Sequence, residues 1–200
     1  MPLAREIEYW DHVAGRCRDE HGVVMDNVWK RPGQVRRLLK YEWIGSKVLE
    51  IGTGNAMVAG SLKLIAQGNF EYVGTELSSV FRMAANKMFQ LETVEADVRE
   101  LPGEEYTRII ALDSLEHVRP EHRAEGYAKI ASVAAKDALL FIHYSHSTSY
   151  HDKEFDHPFG LTDLCALEET GFRLRNFDRY DCFNGKSKEY LDYAFVVMQK

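Results

Sequence analysis

The first residues able to do chemistry are Gly52-Thr53-Gly54-Asn55-Ala56, which follow the apolar run Val48–Ile51 and lead into a helical stretch. Glycines at a strand-to-helix turn let the backbone bend sharply and let a ligand approach it closely. The helix beginning there offers unpaired N–H groups to a polar or anionic part of a ligand. Glu76 lies 22 residues beyond Gly54, at the end of the next β-rich run. An acid about 20 residues past such glycines is placed to accept hydrogen bonds from two ribose hydroxyls. The plain alternative is a tight turn that needs glycine for its own sake, with a solvated glutamate further on. Strand, glycine loop, helix, second strand and terminal acid in that order favour a nucleoside-containing ligand. A nicotinamide dinucleotide fits less well, because Met57 stands where the third glycine of its G-x-G-x-x-G fingerprint belongs. Glu50 also places a carboxylate beside the loop, which repels a pyrophosphate and suits a cationic ligand.

A second group of reactive side chains falls near the carboxyl end of the fifth predicted strand. It holds His143, His146, His151 and His157, with Asp152, Glu154 and Asp156 between them. Ligands sit at the carboxyl ends of strands in open α/β sheets. His146 or His151 would then act as a general base or orient an acceptor. Alternatively these residues bind a polarising metal, although their spacing matches no tight ligand motif, or they form a polar surface loop. Tyr144 and Tyr150 would line a pocket by stacking. His117 either reaches the acceptor or makes a hydrogen bond at a helix start, and Glu116 is a further candidate base. Near the N-terminus, Tyr9, Trp10, Met25 and Trp29 form either an apolar wall over the acceptor or ordinary core. Lys30, Arg31, Arg36, Arg37 and Lys40 form either a landing site for an anionic substrate or a solvated helix face.

These residues need a frame that puts several strand ends together. The pattern predicts strands at Lys47–Gly52, Glu71–Glu76, Thr93–Asp97, Arg108–Asp113, Ala138–Tyr144, Phe172–Tyr180 and Tyr190–Gln199. It predicts helices near Ala56–Ala66, Ser79–Gln90, Glu121–Ala135 and Thr162–Thr170. Such alternation implies βαβ units and a mostly parallel sheet of seven strands. The short loop around Asn184-Gly185-Lys186 makes the final strand antiparallel, joined through a hairpin. Residues 1–45 carry their own helical signals, Ala4–Val13 and Gln34–Trp43, and read as a helical cap on the α/β core of residues 46–200. The whole is expected to be one domain.

Composition narrows the class. The chain has 200 residues, 45% hydrophobic and 28% charged, as in ordinary globular proteins. No apolar run is long enough for a membrane span, and the N-terminal residues do not resemble a secretory signal. The formal net charge of −6 argues against a whole-surface nucleic-acid binder. Cys17, Cys165 and Cys182 are scattered, as free thiols of a cytoplasmic protein would be.

On these motifs the chain resembles the class I S-adenosylmethionine-dependent methyltransferases, which have a Rossmann-like fold. The resemblance covers roughly residues 45–200. VLEIGTGNA is similar to that family's first motif, YVGTELS to the second, VEADVRELP to the third and IIALDSLEHV to the fourth. GFRLRNFDRY and YAFVVMQK are similar to its closing strands. The resemblance implies S-adenosylmethionine as cofactor. Glu50, Gly52, Thr53 and Gly54 would hold its amino-acid part, with Ala56 where the family often has glycine. It implies ribose contacts from Glu76 and adenine contacts from Leu77, Asp97 and the Val98 backbone. Asp113, Ser114 and Leu115 would close the cleft beside the methionine part. Asp113-Ser114-Leu115-Glu116-His117 is not the Pro-Pro-aromatic form found in enzymes acting on exocyclic amines of DNA bases. It resembles the form in methyltransferases of small molecules, which implies methyl transfer to an O or N atom of a small acceptor. His146, His117, His151 and His143 are the catalytic candidates. Tyr9, Trp10, Tyr144, Tyr150 and Phe155 are the acceptor-binding candidates, and Phe155 to Phe159 would form a gate. Rival functions are an RNA or protein methyltransferase on the same fold and a non-catalytic S-adenosylmethionine-binding partner subunit.

Overall fold

A computed structural model describes residues 2–17, 31–67, 69–145, 155, 157–184 and 189–200. The chain begins with helices α1 (Pro2–Arg16) and α2 (Arg31–Leu38). It then alternates through β1 (Lys47–Ile51), α3 (Met57–Ile65), β2 (Glu71–Thr75), α4 (Ser79–Phe89) and β3 (Thr93–Val94). After a short 3-10 turn at Val98–Glu100 come β4 (Tyr106–Leu112), a second 3-10 turn at Leu115–His117, α5 (Pro120–Val133) and β5 (Ala134–Ser145). Helix α6 (Leu161–Glu169) and strands β6 (Arg173–Asn184) and β7 (Glu189–Gln199) complete it. The sheet has seven strands in the order β3-β2-β1-β4-β5-β7-β6. Strand β1 pairs parallel with β2, β2 with β3 and β4 with β5, whereas β7 runs antiparallel to both β5 and β6. This is the expected Rossmann-like α/β sheet with a reversed final strand and helices at its N-terminus. No helix among the described residues is long and apolar enough to cross a membrane.

The chain forms two compact units, Met1–Asp97 and Val98–Lys200. In the first, Val48, Leu49, Glu50 and Ile51 of β1 are all buried, as in a strand covered on both faces. Helix α1 docks on the start of α4. Asp11 accepts hydrogen bonds from Ser78 Oγ (2.6 Å) and Val80 N (3.3 Å), and Ala14 packs on Phe81. Ser78 itself caps α4 by accepting from Phe81 N at 3.2 Å. Burial pushes the Asp11 carboxyl up, but the bonds from Ser78, Val80 and Ser79 outweigh it and hold the group below its usual range. Helix α2 stops at Leu38, short of the predicted Trp43, because the Trp43 indole N–H turns back to donate to the Leu38 carbonyl at 2.9 Å. Strand β3 is shorter than the predicted Thr93–Asp97.

In the second unit, β7 buries Tyr193 through Met198 and β5 buries Leu140 through Tyr144. Strand β5 begins at Ala134 directly from the end of α5, four residues before the predicted start, with Asp137 at φ 64° in the irregular stretch. Arg123 of α5 ties down the approach to α6. Its guanidinium donates to the carbonyls of Val118 (3.0 Å), Pro158 (2.7 Å) and His157 (3.2 Å) and to Asp163 Oδ1 (2.9 Å). Asp163 also accepts from Tyr127 Oη (2.8 Å) and Gly160 N (2.9 Å).

Candidate cofactor and active site

The loop between β1 and α3 has the shape its glycines imply. Gly52 and Gly54 have φ of 66° and 55°, in the left-handed region that costs an L side chain about 1–2 kcal/mol. Ala56 takes the same conformation, φ 58°, at the N-cap of α3, so alanine sits here in a glycine-like backbone. Beside this loop Glu50 is buried. Its Oε2 accepts from Thr53 Oγ1 (2.6 Å) and from Tyr72 Oη (2.6 Å), and those two hydroxyls also bond to each other. Burial pushes the Glu50 carboxyl up, and the two hydroxyls and the charge of Arg31 only partly offset it. Tyr72 is pushed well above its ordinary value, by burial first and by Glu50 second, so it remains a phenol and a donor. A Cβ on Gly74 would lie 2.6 Å from Tyr72 Oη and 2.9 Å from Thr53 Oγ1, so the cluster exists only because residue 74 has no side chain.

Glu76 is the second buried carboxylate of this unit. Oε2 accepts from Gly54 N and Oε1 from Ser78 N, each at 2.9 Å. The glycine loop and the start of α4 are thereby joined through one side chain. Burial is again the largest influence and raises its pKa, against backbone bonds from Ser78, Gly54 and Leu77 and the charge of Arg82. Thr53 is buried and turned toward Glu50, Gly52 is exposed, and Gly54, Leu77 and Asp97 are partly exposed. Tyr9 and Trp10 lie partly buried on α1, their rings edge to face at 4.9 Å.

The second unit holds the remaining candidates. Val98 is buried with its side chain against α5, where a Cβ on Gly126 would approach it to 2.8 Å. Asp113, just past β4, has φ 54° and donates its N–H to the His143 carbonyl at 2.8 Å. Its Oδ1 lies 2.6 Å from His143 Nδ1, and His143 Nε2 lies 2.7 Å from Tyr180 Oη. His143 is 0% exposed, so with both ring nitrogens occupied it has no face for an acceptor. Ser114 and Leu115 are buried, and Ser114 Oγ has no hydrogen-bond partner among the described residues. His117 Nδ1 sits 3.4 Å from the Phe155 carbonyl, and Glu116 is buried with its carbonyl accepting from His157 N at 2.8 Å. Tyr144 is buried against Phe159 with ring centroids 4.9 Å apart, and Phe155 is buried too. Phe159 is buried as well. His146, His151 and Tyr150 lie outside the described residues, as do Met25, Trp29, Lys30, Asp152, Glu154 and Asp156.

Residues 48–137 match the family described as Methyltransferase domain. Over this stretch the chain is similar to methyltransferase domains. Solved structures agree on the fold. A methyltransferase from Archaeoglobus fulgidus is 18% identical with a TM-score of 0.71, covering 96% of this chain and 100% of that one. A chain of the complex between the Haloferax volcanii Trm112 methyltransferase activator and a methyltransferase is 13% identical with a TM-score of 0.75, covering 95% and 96%. Magnesium protoporphyrin IX methyltransferase from Synechocystis PCC 6803, with bound S-adenosylhomocysteine, is 17% identical with a TM-score of 0.66, covering 86% and 82%. No curated protein is matched in sequence.

The donor and acceptor set around the glycine loop fits S-adenosylmethionine. Glu50 and Glu76 are buried carboxylates, which suit a ligand bearing an ammonium, a sulfonium and ribose hydroxyls and would repel a dinucleotide pyrophosphate. Sequence reasoning picked out both acids but not what holds them. Tyr72 reaches Glu50 across 22 residues and Asp11 reaches Ser78 across 67, and no local motif marks either contact. Tyr180 and Tyr193 were seen only as strand residues. Arg123 was seen only as part of a helix.

Proposed function

We propose that this protein is an S-adenosylmethionine-dependent methyltransferase that moves the cofactor's methyl group to an O or N atom of a small-molecule acceptor. The clamp on Glu76 is the observation that carries the cofactor side. Both carboxylate oxygens are fixed by backbone N–H groups, which leaves their remaining lone pairs set for a pair of hydroxyls. Glu50, oriented by Thr53 and Tyr72, receives the ammonium, while Gly52, Gly54 and Ala56 shape the backbone beside it. Leu77, Asp97 and the Val98 backbone take the adenine, and Asp113, Ser114 and Leu115 the methionine part. When bound, the cofactor supplies a methyl group already activated by its sulfonium, for in-line displacement. The chain's own work is therefore to orient the reactants, exclude water and take a proton from the acceptor.

The small-molecule assignment is supported by the Asp113–His117 form of the fourth motif and by the net charge of −6, which does not favour a nucleic-acid groove. Tyr9, Trp10, Tyr144, Tyr150 and Phe155 remain the proposed acceptor residues. His146, His151 and His117 remain candidates for direct proton transfer, and His143 acts indirectly. The test is release of S-adenosylhomocysteine in the presence of phenols, catechols, amines and carboxylic acids, with total RNA and a protein extract as parallel acceptors. Turnover with a small acceptor is expected. Turnover with RNA or protein alone would transfer the assignment to a macromolecular methyltransferase.

A further inference from the structure

His143 is an expensive residue to bury without a purpose. It is fully enclosed in β5, its ring stacked on Tyr193 at 4.9 Å and 18°, with Tyr180 at 5.9 Å. The strands set this up. Leu112, the last residue of β4, pairs with His143, so Asp113 arrives beside the ring on Nδ1. His143 also pairs with Phe195 of β7, and Tyr193, two residues before it, pairs with Tyr180 of β6. Tyr180 thus reaches Nε2 from the opposite side.

The polarity of the chain follows from its ends. An ionised Asp113 carboxylate only accepts, so Nδ1 carries the hydrogen, and the neutral ring then accepts at Nε2 from the Tyr180 hydroxyl. A phenol bonded to a base that is oriented by a carboxylate has the logic of an activated catalytic group. Of the three, Tyr180 alone combines bonding to the imidazole with a partly exposed hydroxyl-bearing side chain on an edge strand. The Asp113 and His143 groups lie at the carboxyl ends of parallel strands, where ligands sit in open α/β sheets. Next to Asp113, the buried Ser114 hydroxyl has no partner among the described residues, and a buried hydroxyl of this kind is normally satisfied by ligand or water.

We propose that Asp113, His143 and Tyr180 form a proton relay in which the Tyr180 phenol takes the proton of the methyl acceptor as its own proton passes to His143. This rests on the acceptor being a protic O or N group. The acceptor's O–H or N–H bond breaks and a new O–H bond forms on Tyr180. The former Tyr180 O–H bond breaks and an N–H bond forms on His143 Nε2. The resulting imidazolium lies against the Asp113 carboxylate, so no uncompensated charge is buried. After methyl transfer the proton returns through Tyr180 to solvent. Tyr193 faces the ring from β7 but does not join in. Burial, then Asp113, Cys182, Tyr180 and Glu116 in turn, push its phenol far above the ordinary range.

Nitrogen-15 histidine NMR of the full chain without ligand reads the relay independently of cofactor or acceptor. The His143 signals are assigned by their loss in His143→Asn. The expected result is an Nδ1–H tautomer at neutral pH, with a tautomer ratio or titration that moves in Tyr180→Phe and again in Asp113→Asn. An Nε2–H tautomer in the wild type, or a titration indifferent to Tyr180→Phe, would overturn the proposal. For any phenol or amine probe the wild type methylates, Tyr180→Phe should lower kcat about 10²–10⁴-fold, the usual contribution of a general base, and leave the Kd for S-adenosylmethionine unchanged. A loss below tenfold also overturns it. If no probe is turned over, the NMR result decides alone. Failure of the wild type to bind S-adenosylmethionine would instead refute the functional proposal and leave the NMR reading standing.

Discussion

Glu50→Gln should weaken cofactor binding and stabilise the fold at the same time. The amide oxygen can still accept from Thr53 Oγ1 and Tyr72 Oη, now 2.6 Å from Oε2, so the local hydrogen bonds survive while the charge disappears. A hydrogen bond to a charged group is worth about 1.5–3 kcal/mol. Loss of that interaction with the cofactor ammonium raises Kd about 10–150-fold, at about 1.4 kcal/mol per decade. Stability moves the other way because burial penalises the Glu50 charge and raises its pKa. The sign is fixed by linkage. A carboxyl whose pKa is raised on folding destabilises the fold fully above the folded pKa, and the penalty fades as pH falls through it toward the unfolded value. At neutral pH the variant therefore melts higher, with each kcal/mol read as about 2–4 °C for a chain of this size, and the difference shrinks in acid. Calorimetric titration and thermal melts from pH 4 to 8 measure both effects. An unchanged Kd, or a variant that melts lower at neutral pH, would refute the assignment of Glu50 as a buried carboxylate kept for the ligand.

Other perturbations test the supports of the site. Gly74→Ala drives a methyl group into Tyr72 and Thr53 and should cost about 1–3 kcal/mol as an overpacked site; a stable variant with wild-type cofactor affinity would show that the Glu50 cluster has slack. Arg123→Leu leaves Asp163 without its cation and should cost about 3–5 kcal/mol, seen in urea unfolding, whereas a loss under 1 kcal/mol would make the Arg123 network dispensable. Asp11→Ala removes an acceptor at the start of α4 and should cost about 1 kcal/mol. Because the folded Asp11 pKa is lowered, its contribution is present above the unfolded value and lost as pH falls through the folded one. The melting curves of variant and wild type should therefore converge in acid, and a constant gap would contradict that role.

The glycine loop and its two neighbouring acids were legible as a local pattern because their logic is local. A strand carrying Glu50 one residue before its end, glycines directly after it and an acid just past the next strand are patterns of spacing, and the structure describes Glu50, Gly52, Gly54 and Glu76 in such positions. Element ends were less legible where a side chain intervened. Trp43 ends α2 by reaching back to Leu38, and β5 starts at Ala134 because an irregular stretch with a left-handed Asp137 extends it toward the helix. Least legible were residues recruited from distant elements. Tyr72 bonds Glu50 across 22 residues, Asp11 bonds Ser78 across 67, and Tyr180 meets His143 across 37. His143 reads in sequence as one of several loop histidines, and only strand register shows it enclosed between a carboxylate and a phenol.

The most direct test of the central claim is calorimetric titration of the full chain with S-adenosylmethionine and S-adenosylhomocysteine, with NADH as control and Glu76→Ala as the second sample. Both adenosyl ligands are expected to bind and NADH is not. The variant complex should be weaker by about 1–3 kcal/mol, the cost of leaving the ribose hydroxyls unpaired. Binding of NADH alone, or adenosyl binding indifferent to the loss of Glu76, would contradict that claim.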